Sequence, residues 1–223
     1  MSTSLTIGRT VRRLALTGLM ALAYLALPAA AAEFEAGVHY EVLPIPVDTM
    51  APGKIEVVEV FSYGCPACFS FDTPLSAWLA QRPDDVAFRR MPAMVRQDWV
   101  VFAQAFYSAE LLGVSERVHT PLFEAVHLRR LDMHDPNVLA TVFRDAAGVD
   151  QDEFLKVFES FGVRSKTLQA DAQGRMYRVT GVPTLIVDGK YRVYGGMLQG
   201  TNIRPLTVVD YLIDKCRAES ASR

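Results

Sequence analysis

The sequence is short of several things that common functions require. It has three cysteines and four histidines in 223 residues. His39, His119, His127, His134 and Cys216 are scattered and form no second pair that could join Cys65 and Cys68 as zinc ligands. There is no phosphate-binding glycine loop, no GxSxG elbow and no HExxH helix, so nucleotide, acyl-transfer and metalloprotease chemistry have no sequence basis. Beyond residue 27 no long apolar run occurs, and no repeat or low-complexity tail. An excess of positive charge is missing too. Without the first 32 residues, which hold three arginines and no acidic group, 191 residues remain with 20 basic against 25 acidic side chains, a net charge near −5. Nucleic acid is therefore not an expected partner.

What is present begins with a targeting pattern. Arg9, Arg12 and Arg13 precede an apolar run of 14 residues, Leu14 to Leu27, and then "PAAAAEF". Positive start, short apolar stretch and small residues are the three parts of a secretory signal peptide, with cleavage expected near Ala32. An uncleaved anchor would need ~20 apolar residues, and this run stops at Pro28. The Arg-Arg pair is a poor twin-arginine signal, so the general secretory route is expected. The mature protein should then occupy an oxidising exported compartment.

"KIEVVEVFSY" (Lys54 to Tyr63) is β-branched and nearly continuous in apolar character, as a buried central strand should be. Phe69, Leu75, Trp78 and Leu79 follow at helical spacing, with a kink expected at Pro74. "DVAFRRMPAM" (Asp85 to Met94) reads as a second strand, parallel to the first across the helix. From Gln97 to Tyr177 only helices are expected. Trp99, Phe102, Ala103 and Phe106 share one face, Asp135 and Pro136 start a helix, Asp150 with Glu153 caps another, and Gly162 offers a stop. Strand signals resume at Thr184 to Val187 and Lys190 to Tyr194, flanking Asp188-Gly189 as a two-residue hairpin turn. A final helix runs from about Arg204 to Arg217. The aromatic residues of the helical block read as core, Met94 and Met197 either as core or as a groove lining, and Cys216 as an inert buried thiol rather than an intermolecular bridge.

Between the first strand and its helix stands "FSYGCPACFSF". A cysteine at a helix start meets unpaired backbone amides and the positive end of the macrodipole, which favour its thiolate. Pro66 suits the first helical position. Cys68, one turn on, is near enough to bridge Cys65 and should be less exposed, giving an outer attacking and an inner resolving sulfur. Half a zinc site and a structural staple are the competing readings. The strand-pair-helix context favours redox chemistry.

These residues carry a resemblance. "EVFSYGCPAC" and "GVPTLIVDGKY", separated by the helical block, resemble the thioredoxin-fold thiol:disulfide oxidoreductases, and among them the DsbA family of exported disulfide-forming enzymes. The resemblance covers essentially all of the mature sequence. It implies an α/β fold, a thioredoxin fold with an inserted helical domain: residues 33–96 and 178–223 form the thioredoxin-like part and 97–177 the insertion. It implies catalytic Cys65 (nucleophile) and Cys68 (resolving), and a cis bond at Val182-Pro183 lying against the pair, where valine matches the oxidases better than the isomerases. Glu59 matches a buried carboxylate beneath the disulfide that assists proton movement. On burial alone a glutamate in an apolar strand must be paired or neutral unless it faces solvent, and either Arg89 or Arg90 could pair with it.

The resemblance further implies donation of the Cys65-Cys68 disulfide to exported proteins with free thiols, a DsbB-like quinone-linked membrane reoxidant, and neither bound cofactor nor metal. The sequence departs from the family at Ala67, where histidine is usual; a missing imidazole should leave the thiolate less stabilised and the pair less oxidising. That departure keeps a reductase or isomerase of the same fold in view. From a different class, a non-catalytic peptide-binding module with a structural disulfide is the further alternative.

Overall fold

A computed structural model describes residues 34–202 and 204–222; the expected signal peptide lies outside them. The element order is β1 (Glu41–Val42), β2 (Ile55–Phe61), α1 (Pro66–Leu79), β3 (Val86–Pro92), α2 (Val100–Leu111), α3 (Ser115–His127), α4 (Pro136–Ala147), α5 (Gln151–Phe158), α6 (Phe161–Met176), β4 (Thr184–Val187), β5 (Tyr191–Tyr194) and α7 (Pro205–Ala221). Short 3-10 turns at Gln97–Trp99 and Gly195–Leu198 lead into α2 and follow β5.

The five strands form one sheet in the order β1-β5-β4-β2-β3. β2 and β3 run parallel across α1, with Val57 opposite Phe88 and Glu59 opposite Arg90. β4 returns antiparallel on the other side of β2. β2 is thus central, which explains six successive buried residues: both faces are covered, so alternation is lost. On one face Val57, Leu185, Val187 and Val193 pack with Val208, Val209, Leu212 and Ile213 of α7. On the other, Val58, Val60 and Ile186 pack with Val163, Ala170 and Tyr177. A third cluster joins Phe61 and Tyr63 at the end of β2 to Phe123, Phe143 and Phe154 of the helical block.

Several local expectations meet their physical cause. Asp135 caps α4 by accepting from the Asn137 amide, with Pro136 in the first turn, and Asp150 caps α5 by accepting from Asp152 and Glu153. Pro74, the site of the expected kink, does not divide α1, which runs unbroken from Pro66 to Leu79.

Three details differ from the sequence reading. Gly162 does not end a helix. α5 stops at Phe158, and Ser160 accepts from the Val163 amide to start α6, so Gly162 lies in that helix's first turn; a competent N-cap serine two residues earlier decides the boundary. The hairpin turn is three residues long, because Val187 pairs with Tyr191 rather than Lys190. Asp188 and Gly189 still take positive φ values of 52° and 60°. The extra residue follows from docking of the preceding segment: Leu43 and Val47 donate to the Lys190 and Gly189 carbonyls, and a side chain at Gly189 would lie 1.9 Å from the Val47 carbonyl oxygen. β1, which pairs with β5, is too short to leave a sequence pattern.

Candidate active site

Cys65 is the N-cap of α1, with Pro66 at the first position, and its sulfur accepts from the Cys68 amide at 3.3 Å. The helix is capped by the group whose charge it stabilises. On its other side Cys65 Sγ lies 3.5 Å from the Val182 carbonyl oxygen, the residue before the cis peptide of Pro183. All three cysteines are free thiols. Cys65 retains 5 % of its surface and Cys68 none.

The two sulfurs are driven apart in acidity. The Cys68 thiol, together with the Cys68 and Ala67 amides, outweighs burial and pulls the Cys65 thiol down to about 6. Burial, reinforced by the neighbouring Cys65, pushes the Cys68 thiol far up. One sulfur is therefore an anion at neutral pH and the other a thiol, the asymmetry that exchange through a mixed disulfide uses. Cys216, buried in α7, is pushed up to about 12, chiefly by burial.

The turn before Cys65 is held by the helical block. A side chain at Gly64 would sit 2.5 Å from Phe102 Cε2 and 2.9 Å from Trp99 Nε1, so only glycine lets α2 approach this closely. Tyr63 is gripped by α3 at both ends. His127 Nε2 donates to its carbonyl at 2.8 Å, and its hydroxyl meets His119 Nδ1 at 3.0 Å. Between them Phe123 meets the Tyr63 ring edge-on at 5.0 Å, and His127 stacks on Phe69 at 5.0 Å.

Beneath the cysteines, Glu59 keeps 2 % of its surface. Arg90, its register partner on β3, donates from Nε to Glu59 at 2.9 Å and from Nη2 to Asp72 at 2.9 Å. Arg89 points to the opposite face and pairs with Glu56. Burial outweighs Arg90 and raises the Glu59 carboxyl to about 7, with Asp72 and Cys65 adding to the rise. Among the described residues no three His, Cys, Asp or Glu side chains converge as metal ligands.

A family model, the DSBA-like thioredoxin domain, matches residues 88–205. The chain is 40% identical over 209 residues to the thiol:disulfide interchange protein DsbA of Pseudomonas aeruginosa, spanning 93% of this chain and 98% of that one. The chain belongs to the DsbA family. The DsbA of Azotobacter vinelandii is 40% identical over 205 residues, 92% of this chain and 95% of its own. The crystal structure of Pseudomonas aeruginosa DsbA superposes with a TM-score of 0.77 at 39% identity, covering 84% of this chain and 97% of that one. The oxidoreductase DsbA from Xylella fastidiosa gives 0.74 at 36%, covering 83% and 98%. Fold and activity follow together: a thioredoxin fold with a helical insertion, and a thiol:disulfide oxidoreductase of the DsbA type.

The structure brings Cys65, Cys68, Val182 and Pro183 together at the surface end of β2 and places Glu59 within electrostatic reach of both sulfurs. The sequence reading passed over Tyr63, Asp72, His119 and His127. A signal for part of this set exists in the DsbA insertion: His119, Phe123 and His127 recur at i, i+4 and i+8, a spacing that puts all three on one helix face.

Proposed function

We propose that the protein donates the Cys65-Cys68 disulfide to folding exported proteins, with Cys65 as the exchanging sulfur. A substrate thiolate attacks Cys65 Sγ, forms a mixed disulfide and expels Cys68, which takes up a proton. A second substrate thiolate then attacks the substrate sulfur of that mixed disulfide and expels Cys65 as a thiolate, leaving the substrate oxidised by two electrons and both cysteines reduced. The observation that carries this reading is the environment of Cys65: amides of Ala67 and Cys68 and the Cys68 thiol stabilise its anion, so it leaves readily. Glu59 is the group that exchanges a proton with Cys68, and the Val182 carbonyl marks where an extended substrate backbone lies against the sulfur. The reading places the protein in the periplasm after cleavage near Ala32, with a DsbB-like membrane partner attacking Cys65 to restore the disulfide, and assigns Cys216 no part.

The test is the reduction potential of the pair in glutathione buffers, on a Cys216→Ser background. A value near or above about −150 mV supports donation, since DsbA itself lies near −120 mV; a value near the thioredoxin level of about −270 mV supports the reductase reading that Ala67 keeps open. Loss of all transfer to a reduced peptide in Cys65→Ser is expected. Cellular function left intact in Cys65→Ser would instead favour the peptide-binding module with a structural disulfide.

A further inference from the structure

The charge network under the cysteines does not end at Asp72. His119, on α3 and 47 residues along the chain, places Nε2 3.0 Å from the same Asp72 oxygen that Arg90 uses. Burial alone would raise Asp72, but His119 and Arg90 reverse this and hold the carboxyl below its usual range, so it is an anion and accepts the imidazole N–H. With the ring proton on Nε2, Nδ1 accepts from the Tyr63 hydroxyl, which burial keeps protonated. The bonds form one directed chain, from Tyr63 through His119 to Asp72, with Arg90 donating to both Asp72 and Glu59. An opening of about 340 Å³ borders it; Arg82 and Arg90 from other elements and Glu116 from α3 itself share its lining with Tyr63 and His119, and Asp72 of α1 meets the ring directly.

We propose that His119 is a positioning residue for disulfide exchange: it satisfies Asp72, so that Arg90 stays bonded to Glu59, and the adjoining opening is where this network meets water. The inference rests on the proposed proton exchange between Glu59 and Cys68. Without the imidazole, Asp72 depends on Arg90 alone and draws the guanidinium from Glu59. Glu59 then holds its proton to higher pH and is less available as a base. The step affected is attack by Cys68. Its thiol passes a proton to Glu59, the thiolate forms a bond to Cys65 Sγ, and the bond from Cys65 to a partner sulfur breaks, releasing a thiolate that takes up a proton.

A small-molecule version isolates this step. Glutathione is coupled to Cys65 on the Cys216→Ser background, and release of glutathione by Cys68 is followed against pH. His119→Ala should lower the rate at pH 7 about fivefold, the scale of one ordinary hydrogen bond, and move the midpoint of the profile upward, with convergence at alkaline pH. His119→Gln, whose amide can still donate to Asp72, should restore the rate to within about twofold by the same reasoning. A folded His119→Ala with the unaltered profile, or a glutamine variant as slow as the alanine one, overturns the proposal. If the alanine variant does not fold, Tyr63→Phe takes its place: a smaller upward shift supports the role and an unshifted profile overturns it. Glu59→Gln separates the two levels. If it changes the profile and His119→Ala does not, only the His119 role fails; if it changes nothing, the Glu59 reading fails and this inference with it.

Discussion

Strand β2 carries two buried glutamates three residues apart, Glu56 and Glu59, each 2 % exposed and each paired with an arginine from β3. An odd separation puts them on opposite faces of the sheet. At Glu56 the pairing is complete. Arg89 reaches both carboxylate oxygens, at 3.1 and 3.4 Å, and the Met50 amide adds a third donor at 3.0 Å. Arg89 also donates to the Tyr177 hydroxyl, tying β2 and β3 to the end of α6. At Glu59 a single arginine is divided with Asp72, and the carboxyl titrates near 7. The same pair of residue types thus makes a strut on one face and, on the other, a carboxyl raised to about 7. The difference lies in how many donors each carboxylate receives, because a buried charge is tolerated only in proportion to its partners.

The largest expected effect would break this contrast if it failed. Arg89→Leu leaves Glu56 buried with only the Met50 amide and should cost about 3–5 kcal/mol of stability in a denaturant titration, with exchange per folded molecule retained. Arg90→Leu should cost less, since Glu59 can take up a proton and Asp72 keeps His119, but it should slow exchange. Equal stability losses would mean the two pairs are alike.

A second measurement sharpens the Glu59 side. Its carboxyl titrates near 7 in the fold against 4.5 unfolded, so the folded state binds more protons between those values. The stability it contributes is present below about 4.5 and is lost as pH rises through 7. Glu59→Gln should flatten that decline, gaining relative stability at pH 8 over pH 5. The comparison belongs on a Cys65→Ser background, because the Cys65 thiolate titrates with the opposite sign: depressed from 9 to about 6, its contribution is present above 9 and lost as pH falls through 6. An unchanged slope would place Glu59 among the struts.

The smallest effect concerns the sulfur. Ala67→His should lower the Cys65 value further, and each unit of pKa is worth about 1.4 kcal/mol, or about 30 mV in a two-electron couple. The potential should become more positive by that order. No change would mean that the Cys68 thiol and the two amides already saturate the thiolate.

Much of this was legible in the sequence because it depends on local order. The Cys65-Pro66 helix start, the Asp135 and Asp150 caps and the apolar run of β2 are each set by a few neighbouring residues and recur wherever those residues stand in that order. Gly162 shows the limit of such reasoning, since a stop signal lost to the Ser160 cap two residues away.

Tertiary structure alone decided what lies far apart in sequence. Arg89 and Arg90 are equivalent on paper, and only the parallel register, with Glu59 opposite Arg90, turns one toward the cysteines and the other toward Tyr177. His119 and His127 meet Tyr63 from 56 and 64 residues away, a distance no local pattern spans. The sequence by itself determined which sulfur becomes the anion, because helix-start amides are a local property. How a proton reaches its partner was left to the fold, because desolvation and charge pairing depend on everything packed around a group.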